Sequence, residues 1–315
     1  MRDTRSPRAP RRALVAAALG TAALVVGLQL AGDAAAGDAP PGRTPATAPR
    51  LVVAGADVTE IVFALGAGAD VVAVDDGSVH PAPAADLPRL GYVRALSAEG
   101  ILAMRPDRVL VNADAGPPVV LAQLASAGVP VDVIPGGHDI AAACAKLEFV
   151  GERLGRGPQG RRLADELRRR AEAVVARRPA PADRLRVLFL YARGPHSLHV
   201  SGRATAADAV LTLAGATNAV DGFEGYRQLG GEAVVAADPD LLLVPAGTLD
   251  AVGALDDLLA HPSLALTRAA RERRVVVVDD AALLGFGPRL AQVLEQLEVE
   301  FGASADRATA RTDAR

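Results

Sequence analysis

Residues 96–111 read LSAEGILAMRPDRVLV, and residues 229–244 read LGGEAVVAADPDLLLV. The two stretches align without a gap at a constant offset of 133 positions, from 96 to 229 and from 107 to 240. In each, an apolar-periodic run is followed by Pro-Asp and an apolar run, which predicts a short helix, a turn and a buried strand. One repeat at so long a spacing indicates two similar α/β lobes, because a solenoid would show more copies at a shorter period.

Strands alternate with helices through the first half of the chain. Short β-branched runs predict strands, and the apolar-periodic runs between them predict helices. The predicted strands are 51–53, 71–74, 109–111 and 131–134, and the predicted helices are 58–65, 96–104 and 119–127. Such alternation is typical of a parallel sheet with helices on its faces. We therefore expect an N-terminal α/β lobe over residues 50–138.

The pattern becomes helical in the middle of the chain. Over residues 140–178, apolar residues recur at helical spacing among many arginines and glutamates, with an interruption at 155–160. This predicts two helices, the second a long amphipathic helix that ends before Pro179 and joins the lobes. The strand pattern returns at 187–190. The predicted fold class is α/β, two Rossmann-like lobes with parallel sheets joined by a single long helix, with a helical segment at 139–180 and a C-terminal lobe at 181–302.

The N-terminus has the features of a secretion signal. Five arginines precede an uncharged apolar run at 13–30, and small residues follow at 34–37. This order predicts a signal peptide over residues 1–36 and a periplasmic protein. An uncleaved anchor is the alternative, because the run is near the ~18 residues that a spanning helix requires. The flanking segments predict a linker at 37–49 and a disordered tail at 303–315.

The composition allows two lobes and argues against a nucleic-acid partner. Of the 315 residues, 50% are hydrophobic and 23% charged, and the net charge is -3. This length can bury one large core or two ordinary ones. Without a basic excess, binding to phosphate backbones is not expected. Cys144 is the only cysteine, so no intramolecular disulfide forms and no cysteine follows the signal to carry a lipid.

The sequence contains no recognisable enzyme motif. Gly285-Phe286-Gly287 is followed by Pro288 and Arg289 rather than by a completed glycine fingerprint after a strand. Neither a Gly-x-Ser-x-Gly elbow nor a His-Glu-x-x-His motif occurs. We therefore predict no catalytic residue and no catalytic cofactor.

The two lobes, the connecting helix and the secretion signal together resemble the helix-linked class of periplasmic binding proteins. This class serves ABC importers of cobalamin, siderophores and haem, and the resemblance covers residues 50–301. In that class each lobe presents a surface glutamate in a pattern like the repeat above. The resemblance assigns these roles to Glu99 and Glu232, which would dock a monomeric binding protein on an inner-membrane permease dimer with its ATPase subunits. Carboxylates at these positions also complement the helix dipole.

Residues 91–100, GYVRALSAEG, resemble the haem-binding branch of this class, whose motif has a tyrosine two residues before an arginine. The second-lobe segments at 202–209 and 223–227 support the same branch. The resemblance implies haem as the transported ligand and Tyr92 as the axial ligand of its iron, since a phenolate oxygen suits ferric iron. On an extended segment Arg94 would share a face with Tyr92 and favour the phenolate. The structural alternative is a partly buried tyrosine and an arginine paired to Glu99.

The second lobe supplies further candidates for the haem pocket. By the repeat offset Arg94 corresponds to Arg227, so each lobe is expected to present a cation for the propionates. Tyr226 beside it is a candidate to stack on the porphyrin or to bond a propionate. The remaining candidates are Arg193, Arg203 and Arg289 for the propionates, and His196 or His199 for the iron or for a second, stacked haem.

Two other ligand classes stay open. A siderophore or cobalamin site usually relies on aromatic rings, whereas aromatic residues make up only 3% of this chain and tryptophan is absent. A zinc- or manganese-binding protein of related fold would use histidines, but the chain has no histidine-rich loop. Its candidate ligands would be His80, His138, His196 and His199.

Overall fold

The computed structural model describes residues 49–192, 194, 197–228 and 230–312, with backbone alone beyond residue 305. All of these residues belong to one compact unit. The predicted signal peptide and nearly all of the predicted linker lie outside the described residues. Within the described ranges, no helix combines the length and the apolar character needed to cross a membrane.

The first sheet confirms the predicted parallel lobe. Its four strands, counted over the described residues, have the order β2-β1-β3-β4, and all neighbours are parallel. The inner strands β1 and β3 are nearly continuous runs of buried Val and Leu, as helices on both faces require. The strands are β1 Leu51–Ala54, β2 Val71–Val74, β3 Arg108–Asn112 and β4 Val131–Ile134, and the helices are α1 Ala56–Ala64, α2 Ala82–Ala85, α3 Ala98–Ala103 and α4 Pro118–Ser126.

Two helices follow the first sheet, as predicted. They are α5 Ile140–Arg153 and α6 Gly157–Ala176. The helices approach closely at a pair of glycines, because a Cβ on Gly160 would lie 2.7 Å from the carbonyl oxygen of Leu147 and one on Gly151 would lie 3.0 Å from the Cα of Gly160. Helix α5 packs on α1 of the first lobe, whereas α6 packs on helices of the second lobe. The long helix α6 is therefore the element that joins the lobes.

The second sheet is mixed rather than parallel, which corrects one part of the prediction. Over the described residues its order is β10-β9-β5-β6-β8, with β7 also paired to β5. Strands β5, β7, β9 and β10 are parallel, but β6 runs antiparallel to β5 and to β8. The connection from β5 to β6 is too short for the crossover that a parallel pair needs. The strands are β5 Arg186–Ala192, β6 Leu198–Ser201, β7 Thr217–Asn218, β8 Tyr226–Gln228, β9 Leu241–Pro245 and β10 Val275–Val278.

The helices of the second lobe cover both faces of this sheet. They are α7 Ala206–Leu213, α8 Gly231–Ala237, α9 Ala246–Val252, α10 Leu255–Leu259, α11 Arg268–Arg271, α12 Asp280–Leu284 and α13 Leu290–Thr312. The last helix corrects the predicted disordered tail, because residues 303–312 continue α13. Phe301 and Ser304 are buried on it, so packing extends the helix past the point where the sequence becomes polar.

The repeat seen in the sequence is also a repeat of structure. Helices α3 and α8 occupy equivalent positions, and strands β3 and β9 begin at residues 108 and 241. The aspartate of each Pro-Asp pair has the same role, because Asp107 and Asp240 each accept a hydrogen bond of 2.8 Å from the backbone N–H of Arg50 and Arg186, respectively. These aspartates fix the start of the neighbouring strand in each lobe. The two aspartates of the repeat therefore make the same contact, each within its own lobe.

The largest core cluster is shared by both lobes. It contains Val58 of α1, Leu147 of α5, Leu167 of α6, Phe189 of β5 and Leu294 of α13. Separate clusters fill the opposite faces of the two sheets. The lobes are therefore held in one continuous apolar core on the side of the connecting helices.

Candidate ligand-binding site

A cavity of about 450 Å³ lies where the strands of the first sheet end. Most of the residues that line it lie at or just after the ends of β1, β3 and β4, at 55–57, 112–114 and 134–138. In open α/β sheets, ligands bind in the crevice outside the carboxyl ends of the strands. Ala281 and Leu284 of α12 close the cavity from the second lobe. The cavity is thus a cleft between the two lobes.

A buried ion pair forms the floor of this cleft. Lys146 Nζ lies 2.8 Å from Asp57 Oδ2, and both side chains are less than 8% exposed. The same Nζ donates to the carbonyl oxygen of Gly285 at 2.7 Å, and Asn112 Nδ2 lies 3.2 Å from Asp57 Oδ1. The network joins α1, β3, α5 and the second lobe. The sequence pattern does not reveal this network, because in the sequence Lys146 is one of many charged residues on an amphipathic helix.

His138 is the titratable ring that lines the cleft. Partial burial and the positive charge of Lys146 hold the pKa of His138 below its usual value, against the opposing charges of Asp114 and Asp139. The ring is therefore neutral at neutral pH and carries a nitrogen lone pair. Its centroid lies 5.4 Å from that of Phe286. The sequence had placed His138 only in the zinc or manganese hypothesis.

Tyr92 lies beside the cleft. Its side chain is 58% exposed, and the next residue, Val93, lines the cavity. A single 3-10 turn over Val93–Ala95 follows Tyr92, so Tyr92 and Arg94 do not share the face of an extended strand. Tyr92 itself is not among the residues that line the cavity, so its exposed ring adjoins the cleft through Val93.

Arg94 pairs with Asp114 rather than with Glu99. Its Nη2 lies 3.0 Å from Asp114 Oδ2, and both side chains are more than half exposed. The hydrogen bond to Asp114 raises the pKa of Arg94, with a smaller contribution from Tyr92. Asp114 lines the cavity, so this pair places the guanidinium close to the cleft.

Glu99 and Glu232 occupy equivalent positions in the two lobes. Each is an exposed residue in the first turn of its helix, α3 or α8. Both carboxylates therefore complement the helix dipole and stay accessible to a partner.

The second-lobe candidates are held by neighbours in their own lobe. The ring of Tyr226 packs edge-on against Tyr191 at 5.6 Å, and its hydroxyl is hydrogen bonded by Thr205 and by the backbone of Ala207. Burial raises the pKa of Tyr226. The ring of His199 on β6 stacks on the ring of Tyr191 on β5, with a centroid distance of 5.2 Å. Strand β5 is parallel to β9 and β10, so it ends at the same edge of the sheet as they do. His196 and Arg193 lie outside the described residues.

The arginine candidates of the second lobe make different contacts. The guanidinium of Arg227 lies 4.7 Å from the centroid of the Phe223 ring. Arg203 Nη2 lies 3.9 Å from Glu224 Oε1, with both side chains exposed. Arg289 is held by Glu60 and Asp279. Arg289 is not among the residues that line the cleft.

The histidines of the metal-ion hypothesis lie at separate places. His80 lines a different cavity, His138 lines the cleft and His199 lies on β6. In the part of the chain that the structure describes, no three His, Cys, Asp or Glu side chains are grouped to hold a metal ion.

Two α/β lobes that enclose a cleft at the ends of parallel strands define a clamp-like class of solute-binding proteins. The chain belongs to the periplasmic binding protein family, whose profile matches residues 51–282. Proteins of this family carry solutes, so the prediction that the chain is not an enzyme is confirmed.

Solved structures and curated relatives agree with this family. The periplasmic heme-binding protein RhuT from Roseiflexus sp. RS-1 is 42% identical, with a TM-score of 0.78 over 82% of this chain and 100% of that one. The periplasmic heme-binding protein BhuT, solved in complex with two hemes, is 40% identical, with a TM-score of 0.76 over 82% and 99%. The vitamin B12-binding protein of Pectobacterium atrosepticum is 26% identical over 261 residues, 80% of this chain and 88% of that protein.

Proposed function

We propose that this protein is the haem-binding component of an ABC importer, which captures ferric haem in the cleft between its lobes. One observation carries the proposal: exposed Tyr92 adjoins the cleft of a chain that is 42% identical, over the full length of the relative, to a periplasmic heme-binding protein. A phenolate is an anionic oxygen donor that suits ferric iron. Tyr92 is therefore our proposed axial ligand.

The cleft has the composition that a porphyrin needs. Its volume of about 450 Å³ is within the range of small-molecule pockets. Apolar side chains, among them Val93, Ile134 and Leu284, line it beside a few polar groups. The neutral ring of His138 is available to the iron or to a propionate, a role that the sequence did not suggest.

Cations of both lobes are proposed to bind the propionates. Arg94 lies nearest to the cleft, where a propionate would replace or join Asp114 as its partner. Arg203 and Arg227 stay candidates from the second lobe, and Tyr226 and His199 stay candidates for the porphyrin and the iron. The two arginines are exposed, with Arg203 beside Glu224 and Arg227 beside the ring of Phe223, so a ligand can replace these contacts at small cost.

Delivery is proposed to occur by docking on an inner-membrane permease dimer with its ATPase subunits. The symmetric, exposed carboxylates of Glu99 and Glu232 support this, since a two-fold partner needs one equivalent contact from each lobe. We further propose a periplasmic monomer with a signal peptide at 1–36 and a linker at 37–49. The proposed lobes are 50–138 and 181–302, with the helical segment 139–180 between them.

Titration of the purified chain from residue 37 with hemin tests the proposed ligand. The account predicts a shifted Soret band that saturates, and no comparable heat or spectral change with cyanocobalamin. The vitamin B12-binding relative makes cobalamin the second candidate. Saturable binding of cyanocobalamin without a response to hemin would replace haem by cobalamin in the proposal.

A further inference from the structure

One segment of the second lobe, residues 285–289 with the sequence GFGPR, lies directly against α1 of the first lobe. Phe286 is fully buried, in the core cluster that also contains Val58 of α1. A Cβ on Gly285 would lie 3.1 Å from the Cβ of Asp57, and one on Gly287 would lie 3.6 Å from it. We call this segment the clasp, because its backbone holds the second lobe against the first.

Two polar links fasten the clasp to α1. At its start, the carbonyl oxygen of Gly285 accepts a hydrogen bond from Lys146, which is paired with Asp57. At its end, one edge of the Arg289 guanidinium binds both carboxylate oxygens of Glu60: Nε donates to Oε2 at 2.9 Å, and Nη2 donates to Oε1. Asp57 and Glu60 are three residues apart, so the two links leave the same side of α1. The clasp is thus held at both ends.

The link between Arg289 and Glu60 is shielded from water. The side chain of Glu60 is 4% exposed and that of Arg289 is 19% exposed. Asp279, in the loop between β10 and α12, lies 2.9 Å from Arg289 Nη2 and holds the guanidinium from the side of the second lobe. Removing one partner of such a pair leaves a buried charge without compensation. The position of the second lobe on α1 therefore depends on this contact.

The clasp borders the ligand cleft at one end only. Gly285, Asp57 and Lys146 line the cleft, whereas Glu60 and Arg289 line a separate cavity of about 370 Å³. If the clasp shifts relative to α1, Gly285 on one wall of the cleft moves away from the floor that Asp57 and Lys146 form. A change at Arg289 therefore reaches the cleft through the clasp and not by contact with its contents.

We infer that the clasp sets the angle between the lobes and thereby the width of the cleft. Its effect on haem rests on the proposed function, whereas its effect on the lobes does not. Arg289 and Glu60 are positioning residues: when their pair is broken, the lobes separate so that water reaches the freed charge, and the wider cleft releases its ligand sooner.

The inter-lobe distance in the ligand-free protein tests this inference. Spin labels at Val119→Cys and Leu266→Cys, exposed positions on the two lobes, report the distance by double electron–electron resonance in a Cys144→Ala background. Arg289→Gln removes the ion pair with Glu60. Arg289→Lys keeps a single ion pair with Glu60 and is the variant to measure if Arg289→Gln does not fold. Arg177→Gln is the matched control, because it removes a bidentate pair with Glu298 that joins α6 to α13.

We expect Arg289→Gln to broaden the distance distribution toward longer distances, Arg289→Lys to do so less, and Arg177→Gln to match the wild type. With hemin bound, transfer to excess apomyoglobin is expected to be about tenfold faster for Arg289→Gln, since such changes act mainly on dissociation. A folded Arg289→Gln protein with the wild-type distance distribution overturns the inference. If no variant binds hemin but the distances change as expected, the clasp stands and the proposed ligand fails.

Discussion

Lys146 and Asp57 form the buried ion pair on the floor of the cleft. Each is satisfied by one further group, Gly285 O for the ammonium and Asn112 Nδ2 for the carboxylate. A pair of this kind contributes little relative to apolar residues of the same size, but the loss of one partner is costly. The floor of the cleft therefore tolerates changes only when they are made in pairs.

Lys146→Met is expected to lower the free energy of unfolding by about 3–5 kcal/mol, because Asp57 would be left buried without its counter-charge. Urea denaturation followed by circular dichroism measures this loss. The double variant with Asp57→Leu should recover a large part of it, since no unpaired charge remains. A single variant within ~1 kcal/mol of the wild type would contradict this assignment.

His138 is expected to make stability depend on pH in a defined direction. Its pKa in the folded protein lies below that of the unfolded chain, so the unfolded chain binds more protons as the pH falls through about 6.5. The free energy of unfolding therefore decreases from about pH 7.5 to about pH 5, and His138→Asn should lose less over this interval than the wild type. Urea denaturation at both pH values measures the difference, and equal losses would show that His138 does not contribute.

At the scale of elements, the crossing of α5 and α6 depends on glycine. Gly160→Ala is expected to destabilise the protein by about 1–3 kcal/mol, because the added methyl would lie 2.7 Å from the carbonyl oxygen of Leu147. Gly302→Ala on α13 is the control, since no atom lies within 4 Å of its Cβ position, and alanine there should stabilise the helix by about 0.5–1 kcal/mol. Thermal unfolding of both variants measures these shifts. Equal melting temperatures would argue against the close crossing.

The elements differ in how far the sequence could predict them. Strands β1 to β4 were predicted because each is a run of mostly Val, Leu and Ile with helices between. Strands β6 and β8 were missed, since LHVS and YRQ are short and partly polar and are held by the antiparallel neighbours they meet. The end of α13 was missed for a related reason, because tertiary packing of Ser304 outweighs the polar composition around it.

The site was predictable only where a local motif marked it. Tyr92 and Arg94 lie within one recognisable segment, and the structure places both next to the cleft. Their assigned roles stay predictions. Lys146 and Asp57 are 89 positions apart and have no local signal of their contact. In the sequence, GFGPR resembles an incomplete glycine fingerprint, whereas in the structure its glycines allow a close approach between the lobes.

In the whole molecule, the proposed surfaces for capture and for delivery are separate. Glu99 and Glu232 are exposed at equivalent helix starts, and neither is among the residues that line the cleft. We therefore expect that changes at Glu99 and Glu232 reduce delivery and leave ligand binding intact.

Charge reversal of both carboxylates, Glu99→Lys with Glu232→Lys, is expected to abolish hemin-dependent growth of an iron-limited strain while hemin affinity stays within about twofold. The matched control is reversal of Glu166 with Glu172, exposed carboxylates on α6. Growth of the Glu99 and Glu232 double variant at the wild-type rate would rule out the docking role.

We propose that Tyr92 binds the iron of haem in the cleft, and the visible spectrum of the hemin complex of Tyr92→Phe reports on this bond. Tyr191→Phe, which removes a hydroxyl from the second-lobe aromatic cluster, is the control. We expect loss of the tyrosinate charge-transfer bands and at least about tenfold weaker hemin binding for Tyr92→Phe alone, which corresponds to ~1.4 kcal/mol. A Tyr92→Phe complex with the wild-type spectrum and affinity would contradict it.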